Sequence, residues 1–277
     1  MVREKIRALH SDLSPNQRIL AEFILNHIED IPFWNSHTLA KAAGTSSATV
    51  VRFSQRLGYS GYPDLRDDIA ALVKGEINRD YFSRIESLDG DVLSMVASQD
   101  VADINDTLNQ LSRPDFHKSV DLILGAKQVH TSGLGVSNLM ADLLAYQLNQ
   151  VGISAAPMRT GNTSFAEQVA FFLKDHVLVS FSYPPYSETT VEIARLAKEK
   201  GVKVIGITNK LAAPISFHAD ITLAVHSENI LFTNAFAAIS VIINALATEC
   251  AHRDKGKAQK MVSYFQTNIG ITDAQYK

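Results

Sequence analysis

Cysteine is nearly absent: Cys250 is the only one in 277 residues. That excludes an internal disulfide and any metal cluster built from several thiolates. An excess of positive charge is also missing. Lys and Arg number 26 against 29 Asp and Glu, a formal net charge of -3, so any contact with nucleic acid must be a local patch. The opening segment, Met1 to Ser14, lacks the apolar core of a signal peptide, and the expected compartment is the cytoplasm. No low-complexity tract and no repeat of solenoid period occurs. The most apolar stretch, Asn229 to Cys250, is interrupted by Thr233, Asn234, Ser240, Asn244 and Thr248. A membrane span needs ~20 residues almost free of polar groups, so this stretch is expected to be a buried helix. What the chain does have is 46% hydrophobic residues and 20% charged, enough for packed cores over the length of two domains.

The patterning divides the chain. Up to about residue 74 it reads as helices only. Ser14-Pro15 is a helix start, and Ile19, Leu20, Phe23, Ile24 and Ile28 follow at helical spacing. Short helices are predicted from Ser36 to Gly44 and from Ser47 to Leu57, and a fourth from Tyr62 to Val73. Between 75 and 107 the charge is scattered. There Leu93, Val96, Val101, Ile104 and Leu108 predict an amphipathic connecting helix that packs. From about 112, strands and helices alternate. Strands are predicted at 128–131, 153–158, 176–181, 202–207 and 220–225, with helices at 138–151, 164–173, 190–200 and 232–250. Repeated strand–helix–strand units mean a parallel sheet covered on both faces.

Ser36 to Leu57 has the chemistry of a DNA-reading helix pair. Ala40 allows the two helices to approach, Gly44 turns the chain, and Ser46 is placed to cap the second helix. Val50, Phe53 and Leu57 form that helix's inner stripe. Its other face carries Ser47, Thr49, Arg52, Gln55 and Arg56, which with Ser46 are the candidate DNA contacts. Before residue 75, Lys and Arg barely outnumber Asp and Glu, so affinity calls for two heads presented together on a palindromic duplex site. The run Ala48-Thr49-Val50-Val51-Arg52-Phe53, then Leu57-Gly58-Tyr59 and Gly61-Tyr62, resembles the N-terminal helix-turn-helix domain of the RpiR family of bacterial transcriptional regulators. Thr45 departs from it, standing where an aliphatic residue is usual.

The first predicted strand ends in His130-Thr131-Ser132-Gly133-Leu134-Gly135-Val136-Ser137-Asn138. Gly133 and Gly135 permit a tight turn against a ligand, and Ser137 opens the next helix, where an anion is favoured. A dinucleotide fingerprint would need its third glycine at Asn138 and an acid after the second strand. Neither is present, and Arg159 alone speaks for NADP. No cofactor is therefore expected. A second hydroxyl-rich turn, Ser182-Tyr183-Pro184-Pro185-Tyr186-Ser187-Glu188-Thr189-Thr190, follows the third predicted strand. Hydroxyls and helix-start amides from two strand ends can coordinate a phosphate without a cation.

Residues 112 to 250 resemble the SIS, or sugar isomerase, domain that RpiR regulators carry as sensor. Gly133-x-Gly135-x-Ser137 matches its first phosphate loop. The family's second loop reads Ser-x-Ser-Gly-x-Thr; Ser182 keeps the first serine, Pro184 and Pro185 replace Ser-Gly, and Ser187 replaces threonine. The resemblance implies a phosphosugar site of Gly133, Gly135, Ser137, Ser182, Ser187, Thr190 and Glu228. An isomerase with an accessory helical domain is the alternative, with Glu228 or His218 offered as its base. The DNA-reading region argues for a regulator that is not an enzyme. The organisation expected is a helix-turn-helix domain over 1–76, a helical linker over 77–107, an SIS domain over 108–252 and a tail over 253–277. The expected state is a homodimer or homotetramer, with Tyr264 and Phe265 as possible association residues.

Overall fold

The structure is a computed structural model that describes residues 2–86, 88–228 and 235–268. Two compact units divide near residue 89. The N-terminal unit is helical: α1 (Val2–Leu9), α2 (Pro15–Asn26), α3 (Ser36–Ala42), α4 (Ser47–Arg56) and α5 (Tyr62–Glu86). Its core gathers Ile6, Leu20, Ile24, Leu39, Phe53, Leu65 and Ile69, all fully buried. Each is worth about 1.5–3 kcal/mol relative to exposure. Ser14 and Gln17 form a reciprocal capping box at the start of α2, with Pro15 in its first turn. The fourth helix does not stop at Val73 but runs to Glu86. Gly75 costs only about 1 kcal/mol in a helix, and Arg3 of α1 pairs with Glu76 just beyond it at 3.0 Å.

The C-terminal unit begins with α6 (Val92–Gln110) and α7 (Arg113–Gly125) and continues as β1 (Gln128–Ser132), α8 (Val136–Gln150), β2 (Ala155–Pro157), α9 (Phe165–Ala170), β3 (His176–Ser182), α10 (Glu188–Glu199), β4 (Lys203–Thr208), β5 (Ile221–Ala224), α11 (Ala237–Arg253) and α12 (Lys255–Asn268). All four strand pairings are parallel, in the order β2-β1-β3-β4-β5. The chain runs outward from β1 to β2, then crosses back to lay β3 on the other side of β1. A doubly wound sheet opens its crevice at that reversal. Six of the seven residues of β3 are buried, as a central strand covered on both faces requires.

α11 is a core helix, with Ile239, Ile242, Ile243, Leu246 and Cys250 buried. Burial pushes the Cys250 thiol up to about 12. Among the described residues no helix is long and apolar enough to cross a membrane. The predicted start of α11, residues 229–234, lies outside the described residues.

Two further expectations are corrected. The segment after residue 253 is not a plain tail, because α12 occupies 255–268. α6 is helical as predicted and Ile104 packs on the core, but its fully buried residues are Asp103 and Thr107, whereas Leu93, Val96, Val101 and Leu108 are exposed. Residue spacing gave the stripe correctly. It could not say that, of these five, only Ile104 would pack on the core.

Candidate functional site

In the helical unit, Asn35 caps α3 through the Thr38 amide and Ser46 caps α4 through the Thr49 amide. Gly44 turns between them at φ +64°, and the Thr45 amide closes the turn on the Ala40 carbonyl at 2.8 Å. Val50, Phe53 and Ser54 face inward. The Thr45 hydroxyl is buried without a hydrogen-bond partner among the described residues. That is a physical reason to find an aliphatic residue there instead.

The six candidate DNA contacts divide by what they already hold. The Ser46 and Thr49 hydroxyls bond each other at 2.9 Å, so they shape the first turn of α4. Arg56 donates to the Asp12 carbonyl at 2.5 Å and to Gln17 at 3.3 Å, bracing α4 against the chain between α1 and α2. Ser47 is half-buried. Arg52 and Gln55 are exposed and have no partner among the described residues. They stand one turn apart on the outer side of α4, with Ala48 and Val51 beside them. Those two apolar residues were not singled out from the sequence, since nothing in spacing alone marks a short side chain as a contact to a base methyl.

At the carboxyl end of the sheet, Ser132 of β1 faces Ser180 of β3 in register, and their hydroxyls bond at 2.6 Å. The two hydroxyl-bearing turns therefore leave adjacent strands. A Cβ on Gly133 would stand 2.4 Å from the Ser137 carbonyl oxygen and 2.9 Å from the Ser137 Cβ. Only glycine permits that approach. Gly135, at φ 57° and ψ -127°, is the N-cap of α8, in a conformation side chains disfavour. The Ser137 and Asn138 amides turn back to the Leu134 and Gly135 carbonyls. The positive end of α8 thus acts here more through its dipole than through unengaged amides.

Across the crevice, Ser182 ends β3 in register with Thr208 of β4, and both are buried. Ser182 is 2% exposed, and its hydroxyl has no hydrogen-bond partner among the described residues. Leaving such a group unsatisfied costs about 1–3 kcal/mol. The turn that follows contains a cis bond between Pro184 and Pro185 and is stapled to the end of β4 by Tyr186, whose hydroxyl donates to Asn209 at 2.6 Å. Tyr183 is buried in the core cluster, and burial drives its hydroxyl far above the ordinary tyrosine range. Ser187 caps α10 by accepting from the Thr190 amide, and Thr190 is buried in that first turn. For these two, capping is a demonstrated role.

Glu228 stands apart. It follows β5 and is exposed, two strands from β3, which is roughly 10 Å at the usual strand spacing. The chain just before it is held by α6: the His226 amide donates to the Thr107 hydroxyl at 2.9 Å. Asp103 of α6 lies nearby, its carboxyl raised by burial and by the negative charge of Glu228, against the opposing pull of Gln99, His226 and the Glu228 amide. Sequence reading missed Asp103 and Thr107, because no local pattern announces a bond across 119 residues.

Two further residues are clarified by position. Arg159, after β2, pairs with Asp142 of α8 at 3.1 Å, and Asn138 holds the other Asp142 oxygen, so this arginine is already neutralised. His218 precedes β5 and therefore sits at the amino end of the sheet, away from the hydroxyl turns. Burial, helped by Arg195 and Lys198, lowers its affinity for a proton.

A small helical head built around a turn-linked helix pair, followed by a doubly wound sheet with a hydroxyl-lined crevice at its switch point, defines a class: helix-turn-helix proteins with a sugar isomerase-type domain. Family models agree over both parts, a helix-turn-helix domain of the rpiR family over residues 1–74 and an SIS domain over 122–249. The chain belongs to the RpiR family of helix-turn-helix transcriptional regulators. It is 27% identical to the uncharacterized HTH-type transcriptional regulator YbbH of Bacillus subtilis, with 83% of this chain and 82% of that one covered. The HTH-type transcriptional regulator HexR of Pseudomonas aeruginosa is 28% identical, over 74% of this chain and 72% of HexR. The fold resembles that of Vibrio vulnificus NanR, solved in complex with ManNAc-6P, with a TM-score of 0.71 and 22% identity over 99% of this chain and 100% of that one.

Proposed function

We propose that this chain is a DNA-binding regulator of sugar or amino-sugar metabolism genes whose grip on its operator is set by a phosphorylated sugar. The effector lies between the Gly133–Ser137 turn and the Ser182–Ser187 turn. One observation carries the reading: Ser182 places a buried, unpartnered hydroxyl at the reversal of strand order, beside a turn that only glycine can form. A phosphoryl oxygen is a fitting acceptor for it, and the α8 dipole favours the same charge. The fold's likeness to NanR, which is solved with ManNAc-6P, is in keeping with this effector class.

Arg52 and Gln55 read bases, and two copies of the head meet a palindromic duplex site. The assembly is a homodimer or homotetramer acting in the cytoplasm. Glu228, at the edge of the sheet, is the residue offered to the sugar hydroxyls. Catalysis is not part of the reading. An isomerase needs a base at the reacting carbons, yet His218 lies at the opposite end of the sheet and Glu228 leaves from an edge strand.

Thermal-shift titration against hexose 6-phosphates and amino-sugar 6-phosphates tests the effector claim. At least one is expected to raise the melting temperature saturably, and Ser182→Ala is expected to remove that rise. A panel with no effect, or an equal effect on the variant, contradicts it. Turnover of the binding sugar phosphate to its ketose or aldose isomer would instead support the enzyme.

A further inference from the structure

The end of the sheet beyond β5 carries negative charge that its own surroundings do not balance. Asp103 of α6 is 2% exposed. Its Oδ1 accepts from the Gln99 side chain at 3.0 Å, and its Oδ2 is buried with no hydrogen-bond partner among the described residues. Glu228, shortly after His226, is exposed, and its charge acts on Asp103. The two stretches of chain that meet here, residues 85–112 and 211–252, contain no Lys and no Arg, and neither type of residue acts on Asp103. A buried carboxylate is costly unless it is paired or coordinates a metal.

Chemistry narrows what pairs with it. Among the described residues no group of three His, Cys, Asp or Glu side chains could hold a metal ion. What fits is a compact cation that also donates hydrogen bonds, a protonated amine, and with no Lys or Arg at hand the amine comes with the ligand. The other end of the crevice has the opposite sign. There α8 turns the positive end of its dipole toward the Gly133–Ser137 turn, and Ser182 offers its unpartnered hydroxyl. From β3 to β5 is two strand spacings, roughly 10 Å. A ligand that matches both ends carries an anion and an ammonium separated by about the length of one sugar.

We infer that Asp103 and Glu228 select the effector by an ammonium group, so that the preferred ligand is an amino-hexose 6-phosphate with its amine free. Glu228 meets the amine as well as the sugar hydroxyls. Asp103 lies behind it, away from water, where a charge is felt more strongly. Burial and the charge of Glu228 both disfavour the ionised form of Asp103, and a cation brought against the pair offsets both. The inference rests on the reading above, that a phosphorylated sugar lies in this crevice, and adds the chemistry of that sugar.

Isothermal titration calorimetry on the full chain at pH 7, where such an amine is largely protonated, provides the test. The probes are matched sets of gluco, manno and galacto 6-phosphates, each with a free amine, an acetamido group or a hydroxyl at C2. In at least one set the amine is expected to bind about tenfold tighter than both counterparts, as one added charge-assisted hydrogen bond supplies. Asp103→Asn and Glu228→Gln are each expected to bring that ratio down toward one. Asp103→Asn keeps the shape and an oxygen for Gln99, and should it fail to fold, Glu228→Gln at its exposed position decides. Equal affinities for the three kinds in wild type, or a preference for the amine that survives in either folded variant, would overturn the inference while leaving a phosphosugar effector in place. Absence of binding by every probe would instead count against the effector reading itself, and against this inference with it.

Discussion

At the scale of single residues, the sharpest constraints are a missing side chain and two unsatisfied hydroxyls. Gly133→Ala would drive a methyl group into the Ser137 backbone, where the nearest atom is 2.4 Å away. Backbone cannot yield as a flexible side chain does, so we expect a loss of about 1–3 kcal/mol by thermal denaturation, together with loss of ligand response. Thr45 offers the opposite case. Its hydroxyl is buried and unpartnered, so Thr45→Val, which keeps the shape and removes the polar atom, is expected to stabilise the head by about 1 kcal/mol. Ser182 is orphaned in the same way, and Ser182→Ala should likewise not destabilise the ligand-free chain, although it should abolish the effector response. His130 sets the dependence on pH. It stacks on Phe172 and bonds His176 at 3.0 Å. Burial, with the neighbouring His176, lowers its pKa to about 4. Unfolded chain takes up this proton near 6.5, folded chain only near 4. The contribution is therefore fully present above about pH 6.5 and is lost as pH falls toward 4. Melting temperatures measured at pH 7 and pH 5 should show that fall, and His130→Gln should lessen it.

Among the elements, α4 and α6 show how much was legible and how much was not. The α4 stripe of Val50, Phe53 and Leu57 follows from spacing, because burial on a helix repeats with its turn. The outer side is harder to read. Arg52 and Arg56 look alike in sequence, yet Arg56 is tied to Asp12 and Gln17 and Arg52 has no such partner. Their variants should therefore behave differently. Arg52→Ala is expected to weaken operator binding by about 1–3 kcal/mol and relax its specificity without changing the head's stability. Arg56→Ala is expected to lower the head's melting temperature as well. The five strands and the two hydroxyl turns were also legible, since short apolar runs and turn chemistry are local. Strand order was not, and it is strand order that brings Gly133 and Ser182 to neighbouring strands while leaving Glu228 on the edge. In α6 the apolar spacing predicted inward packing for five residues, of which Ile104 keeps it, while Thr107 accepts a bond from the His226 amide. Thr107→Val removes that bond, leaving the His226 amide without its acceptor, and should cost about 1–3 kcal/mol by denaturant titration.

For the molecule as a whole, the two units divide the labour that their chemistry allows. The head is neither large nor strongly basic, which is why we propose that copies bind the operator in pairs. The sheet domain supplies the crevice. A metabolite changes operator binding only to the extent that it binds one arrangement of the pair better than the other, and a coupling of about 1–3 kcal/mol corresponds to a change of roughly 5- to 150-fold. The most direct test is the operator dissociation constant, measured at fixed salt without and with a saturating sugar phosphate found in the thermal-shift panel, for wild type and Ser182→Ala side by side. The expected result is a change within that range for wild type and none for the variant. An operator affinity that stays constant in wild type at saturation, or moves equally in both proteins, would contradict control of DNA binding from the Ser182 crevice.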